Sequence, residues 1–317
     1  MIELGVLLAV LASVGYGLSD VLSGSVVRRH STASLALWAQ ITGLAVLAVA
    51  AAVRRPDVAV PGAVWGVVAG GIGAIGVLAF YTALQRGRTS VVTPVAGAGV
   101  VLPVLAGVLG GDPLGWRSGS GVAAAVVGIL VVAATAGEDD EPVVRAVPGR
   151  SHPVPGYDGC VPAARAGHGR SSVWLAVLSA VMFGTFFVVL EQATSRAELR
   201  GTGQEAFDVA LVVSLAVQVG ALGVTLLAAT RHTRACLRPG RSLVVPAVAV
   251  GLLDVGADLL VTLAVDLGPL AVVGPLASLD PVVSVLVATG VLRERLRLLP
   301  ALGVALSLTG IVLVATG

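Results

Sequence analysis

Ten mainly apolar stretches divide this chain, and no other feature narrows its folding more. A helix that crosses roughly 30 Å of hydrocarbon needs about 20 such residues, and lipid forces each crossing to satisfy its own backbone as a helix or a closed barrel. The runs are too long for barrel strands. They predict helices over residues 3–27, 33–53, 62–85, 89–111, 115–135, 172–193, 207–230, 243–266, 270–291 and 297–316. Composition agrees: 56% of residues are hydrophobic and only 12% charged, against about 25% charged in soluble domains. The expected fold class is an all-α integral membrane protein. The first span has no basic segment before it and exceeds signal-peptide length, so it is expected to be retained.

A formal charge of +2 is too small to imply a nucleic-acid partner, and all 20 basic residues are Arg. Fifteen of them fall in the junctions after spans one, three, five, seven and nine; five fall in the others. By the positive-inside rule the Arg-rich face is cytoplasmic, which places both termini outside a plasma (inner) membrane that the chain crosses many times. Cys160 and Cys236 share the Arg-rich face and are expected to be free thiols. No Cys or His spacing suggests a metal or other cofactor.

Residues 136–171, rich in Pro, Gly and charge, read as a flexible linker that holds His152 and His168. It separates a first five-helix unit, 1–135, from a second, 172–317. The two units resemble each other. An offset of 167 lays Leu8–Gly17 on Leu175–Gly184; 181 lays Gly87 on Gly268 and Pro94 on Pro275; 182 lays Gly121 on Gly303 and Gly128 on Gly310. Five is odd, so the second copy enters the membrane upside down. That is the plan of two inverted repeats used by secondary carriers, whose substrate site lies near midplane between the repeats.

The stretch GPLAVVGPLASLDPVVSVLVATGVLRERLRLLPALGVALSLTGIVLVA, from Gly268, resembles the closing segment of the EamA-type branch of the drug/metabolite transporter superfamily. It carries a Gly-Pro turn, a Pro-Leu helix start, a Ser-Leu-x-Pro step, an acid two residues before Leu296, and Gly-x6-Gly. The segment from Phe80, FYTALQRGRTSVVTPVAGAGVVLPVLAGVLGGDPL, is similar to the matching part of that family's first repeat, with Asp112 where the family usually has Glu. The resemblance implies a ten-helix carrier of small organic metabolites or drugs, often an exporter and commonly proton-coupled, working as a monomer or homodimer and not as an enzyme. It also implies cytoplasmic termini, the reverse of the Arg count.

Three carboxylates interrupt LDVGADLLVTLAVDLG, residues 253–268. On a helix Asp254, Asp258, Thr262 and Asp266 fall at about 0°, 40°, 80° and 120°, with Gly251 near 60°, forming one polar stripe. The first span offers Ser13, Gly17, Asp20 and Gly24, and Asp280 stands directly before Pro281. In the repeat alignment Asp254, Asp258, Asp266 and Asp280 correspond to Gly73, Val77, Gln85 and Gly99. The first unit's polar contributions are therefore Tyr81, Gln85 and Gln40, and helix breaks are expected at Pro94, Pro275 and Pro281.

A charged acid at the bilayer centre costs about 2.5–3.5 kcal/mol even on the lenient insertion scale. The only Arg inside the predicted spans, Arg117 and Arg297, stand in the first turn of theirs, too near the interface to offset it. Either the acids hold a proton, or they line a wet cavity and meet a cation there. The expected site is thus Asp254, Asp258, Asp280 and Asp20, with Thr262, Tyr81, Gln85 and Gln40, taking a proton or a cationic substrate group. Glu191 and Asp208, near span ends, are expected to be solvated or to cap helices, and Glu294 to pair with its Arg neighbours.

Gly71, Gly73 and Gly76 match GxGxxG literally, but they lie inside an apolar helix with no acid until Asp112, so helix packing is the expected role. The Gly-x-Gly-Asp pattern of membrane aspartyl proteases is absent at Val255–Asp258. Two alternatives to a metabolite carrier stand: a non-transporting membrane assembly partner with a dry interior, and a carrier of lipid-linked sugars or nucleotide sugars. The latter would need an intramembrane Arg or Lys for phosphate.

Overall fold

The apolar runs fold as helices, and no strand occurs among the described residues. A computed structural model of the chain describes residues 2–56, 60–109, 115–135, 169–196, 206–230, 240–267, 276–277, 279–291 and 298–316. The helices are α1 (Ile2–Val27), α2 (Thr32–Arg54), α3 (Val60–Arg86), α4 (Thr89–Gly97), α5 (Val101–Leu109), α6 (Trp116–Thr135), α7 (Gly169–Arg196), α8 (Ala206–Ala229), α9 (Arg241–Leu267), α10 (Asp280–Gly290) and α11 (Leu298–Thr316). Asp112, His152, Cys160, His168, Cys236, Gly268, Pro275 and Glu294 lie outside the described residues.

Six helices, α1, α2, α3, α7, α8 and α9, are long and apolar enough to cross a membrane. The apolar helices at Thr89–Pro103, Gly119–Gly128, Asp280–Gly290 and Ala301–Leu313 are shorter. The helix over 89–111 was expected to break at Pro94. Instead α4 ends at Gly97, a 3-10 turn covers Ala98–Val100, and α5 follows. Pro94 lies inside α4 and is buried; it offers no N–H to the carbonyl one turn back and crowds it. The break falls a turn beyond Pro94, where the ladder tightens to 3-10. Pro281 instead sits in the first turn of α10, where a missing N–H leaves no bond unmade.

The halves of the chain interlock. Helix α3 packs on α7 and α8, α1 on α9 and α10, α2 on α8 and α9, α4 on α7 and α10, and α6 on α11. Each of these pairs joins a helix before the linker to one after it. Glycines set the closest approaches. A methyl at Gly17 would lie 2.8 Å from the Asp280 carbonyl oxygen and 2.6 Å from Val283, and one at Gly184 would lie 2.4 Å from the Gly99 oxygen and 2.8 Å from Leu102. Gly17 and Gly184 differ by 167, and Asp280 and Val283 exceed Gly99 and Leu102 by 181.

The same exchange relates Gly128, against Gly303 and Ser307, to Gly310, against Gly121 and Ala125, at the offset of 182. It also relates Gly70, against Val217, to Gly251, against Ala39. Small residues at these crossings let backbones meet, which is how apolar helices associate where lipid competes for every side chain. Gly71, Gly73 and Gly76 lie in mid-α3; Gly73 and Gly76 pack on Phe186 and Phe183 of α7.

Large apolar side chains cover the outside. Leu7, Val49, Leu130, Leu227, Val245 and Leu286 are each more than half exposed, a surface suited to acyl chains. Trp65, Trp116 and Trp174 are exposed near helix starts, as interfacial anchors are, while Trp38 packs partly buried on the core.

At one end of the bundle the Arg54 Nε donates to Asp208 Oδ1 at 2.9 Å, linking α2 to α8, and its guanidinium lies 5.4 Å from the Phe207 ring centroid. Asp208 thus has an ionic partner rather than a capping role alone. The Arg54 side chain is 41% exposed, so the pair is worth at most about 1 kcal/mol. A double-mutant cycle on Arg54→Ala and Asp208→Ala, read by thermal unfolding in detergent, is expected to return a coupling no larger than that. A coupling above about 2 kcal/mol would contradict the assignment as a weak surface pair.

Candidate functional site

Helices α1, α2, α3, α4, α7, α8, α9 and α10 all contribute to the lining of a cavity of about 150 Å³. Asp20, Asp254, Asp258 and Asp280 all line it. Each is only half-buried; Asp20, Asp254 and Asp258 stand well within apolar helices and Asp280 at the start of one, and the open part of each side chain faces the cavity. Helical spacing explains the α9 pair: Asp254 and Asp258 are one turn apart on one face. Asp20 comes from α1, and Asp280 enters with the first turn of α10.

These acids have few partners. The Tyr16 hydroxyl donates to Asp258 Oδ1 at 2.5 Å. The Ser19 hydroxyl meets Asp254, and the Ser284 hydroxyl lies 3.1 Å from Asp20 Oδ2. No Arg or Lys lines the cavity among the described residues. The wall is one of hydroxyls and carboxylates, with acceptor capacity in excess of the donors aimed at it.

A second part of the lining is aromatic. Phe80, Tyr81, Phe183, Phe186 and Phe187 form it; Phe80 and Phe183 meet edge-on at 6.0 Å, and Phe186 and Phe187 at 5.4 Å between ring centroids. Gln40 of α2 and Gln218 of α8 also line the cavity and bond to each other. Gln218 Nε2 donates to Gln40 Oε1 at 2.5 Å and to the Gln40 carbonyl at 3.0 Å.

Of the residues the sequence singles out, Asp20, Asp254, Asp258, Asp280, Gln40 and Tyr81 come together here. Thr262 and Gln85 do not. Thr262 is buried between α9 and α8, donating to the Asp258 carbonyl at 2.7 Å and lying 3.4 Å from the Ser214 hydroxyl. The amide of Gln85 reaches the last carbonyl of α1 and the junction after it, donating to Val27 O at 2.7 Å and His30 O at 3.4 Å. It satisfies acceptors that a helix end leaves open. Asp266 lies in the last turn of α9, well along the helix from Asp254.

Residues 3–134 and 170–316 match the EamA-like transporter family. The chain belongs to this family. A comparison with curated proteins finds no match. One solved crystal structure matches over 98% of this chain and 95% of its own, at 18% identity and a TM-score of 0.57, a likeness that shows a shared fold. As an EamA-like chain with six long apolar helices, this is a multi-pass membrane protein of the drug/metabolite transporter type.

For an EamA-like transporter the residues that the sequence does not single out are informative. Gln218 lies 178 residues after Gln40, an offset between the 167 and 181 that align the neighbouring helices, so the repeat itself could have paired them. Tyr16 and Ser19 stand within a turn of Asp20 but read as ordinary helix residues. The phenyl rings give no signal at all in an apolar span, where Phe is at home in core or lipid.

Proposed function

We propose that this protein is a secondary active transporter that moves small organic molecules through the central cavity, in exchange for protons and in the direction of export. Its architecture is two inverted repeats of five crossings, the shorter apolar helices completing ten. The reciprocal glycine contacts support that plan, because a twofold relation makes each contact recur with its partners exchanged.

One observation carries the functional reading: four carboxylates from three helices face one cavity between the repeats. Acids inside a membrane are expensive and cluster on ion and proton pathways. A carrier needs groups that take a cation or proton on one side and give it up on the other. Acids with more acceptor sites than donors aimed at them fit that need better than a dry assembly scaffold, in which they would cap one another. No Arg or Lys lines the cavity among the described residues, which speaks against nucleotide-sugar cargo.

The test is flux in vesicles. Purified protein, reconstituted with an imposed pH gradient and screened with labelled metabolites and cationic drugs, is expected to show saturable, protein-dependent accumulation of at least one compound. That accumulation is expected to collapse when a protonophore dissipates the gradient. Flux indifferent to the gradient would reject proton coupling, and absence of flux across a broad screen would reject the carrier reading.

A further inference from the structure

The repeat offsets assign a counterpart to every residue of the acidic wall. Adding 167 to Tyr16, Ser19 and Asp20 gives Phe183, Phe186 and Phe187; subtracting 181 from Asp254, Asp258 and Asp280 gives Gly73, Val77 and Gly99. All six counterparts line the same cavity. The shell is thus built twice while its chemistry is not. One copy is acidic and hydroxylated, and the other is aromatic and apolar at the matching positions.

A proton, or a bare metal ion, needs only the first wall. A wholly apolar substrate needs only the second. An anion is repelled by both, since the face of a phenyl ring carries negative quadrupole charge and the carboxylates carry formal charge. A ligand that uses both walls has a positive head and a flat apolar body, and phenyl faces add to the attraction of a cation once water is excluded. At about 150 Å³ the partly open cavity has room for one benzene ring, so a single ring is the smallest body that tests the aromatic part of its lining.

Resting on the carrier reading above, we infer that the transported molecule is a small aryl cation, its ammonium held by the carboxylates of Asp254, Asp258 and Asp280 and its ring held by Phe183, Phe186 and Phe187.

Calorimetric titration of the purified protein in detergent tests this with three soluble probes. Phenyltrimethylammonium, which has no proton to donate, is expected to saturate a single site. Tetramethylammonium, which lacks the ring, is expected to bind at least about tenfold more weakly, and benzenesulfonate, a ring of opposite charge, not measurably. Asp254→Asn is expected to weaken both cations about tenfold or more. Phe186→Leu, or Phe187→Leu should the first fail to fold, is expected to weaken phenyltrimethylammonium alone and leave tetramethylammonium unchanged, a split that general damage to the cavity would not produce.

Equal affinity for the two cations, or tighter binding of benzenesulfonate, would overturn the inference. Gradient-driven flux of neutral or anionic compounds without binding of phenyltrimethylammonium would overturn it too, while leaving the carrier intact. Binding of the aryl cation in the expected order without flux of any compound would support the site chemistry and sink the carrier.

Discussion

Asp258→Asn is expected to reduce pH-gradient-driven flux at least about 100-fold while leaving the folded protein as stable as before or more so. The amide is nearly isosteric with the carboxylate and its oxygen still accepts the hydrogen bond from Tyr16, 2.5 Å away in the parent. The link between α1 and α9 therefore survives. What is lost is the negative charge and the ability to take and release a proton. A 100-fold loss is about 2.7 kcal/mol, well within what a fixed charge contributes in a cavity screened only in part by water.

Stability moves the other way because a charge held among apolar helices is a cost the fold carries for its function. Asp280→Asn is expected to behave alike. Flux above half the parental rate, with both variants monodisperse in detergent, would remove these acids from the coupling step. A parallel fall in flux and in melting temperature would recast them as structural.

The same acids show how much of the molecule its sequence discloses. Hydrocarbon thickness sets the helix lengths, so the spans at 3–27, 62–85 and 243–266 were legible and reappear as α1, α3 and α9. A break in 89–111 was legible from Pro94, but its place at Ala98–Val100 was not, because hydropathy is blind to where a run of Val, Ala and Gly gives up its ladder. Asp20, Asp254, Asp258 and Asp280 stood out because charge is costly in lipid and rare there. Thr262 stood on the same stripe and yet turns to Ser214.

A helical wheel gives angles to within a side chain's width and cannot tell a cavity from the groove between two packed helices. The aromatic wall was illegible for the opposite reason, since nothing about Phe in an apolar helix needs explaining. It acquires meaning only when the fold brings Phe186 into the place where the other repeat holds Ser19. Unlike chemistry at matching positions is a property of the pair, and neither repeat displays it alone.

A Cβ at Gly70 would sit 1.8 Å from the Val217 carbonyl oxygen, and one at Gly220 would sit 2.0 Å from that of Val67. Helices α3 and α8 therefore meet backbone to backbone, and neither carbonyl can swing aside as a flexible side chain could without giving up its own helical bond. Gly70→Val is expected to destabilise the protein by about 3 kcal/mol or more, the upper range for forcing atoms into a packed interior. Gly220→Val is expected to match it, because each carbon would press on the other helix from one side of the same crossing. Gly223→Val is the control: it lies in α8 three residues on, is exposed, and meets nothing within 4 Å.

Thermal unfolding in one detergent compares all three. Gly223→Val should melt close to the parent, since a β-branched residue gives no clash there and in a helix costs no more than glycine does. The crossing also carries function, for Gly70 and Gln218 line the cavity, and helices wedged apart would separate Gln218 from Gln40 as well. The double variant Gly70→Val, Gly220→Val should be less than additive, because the first valine already opens the gap that the second needs. Full additivity would mean that the two glycines do not share one contact.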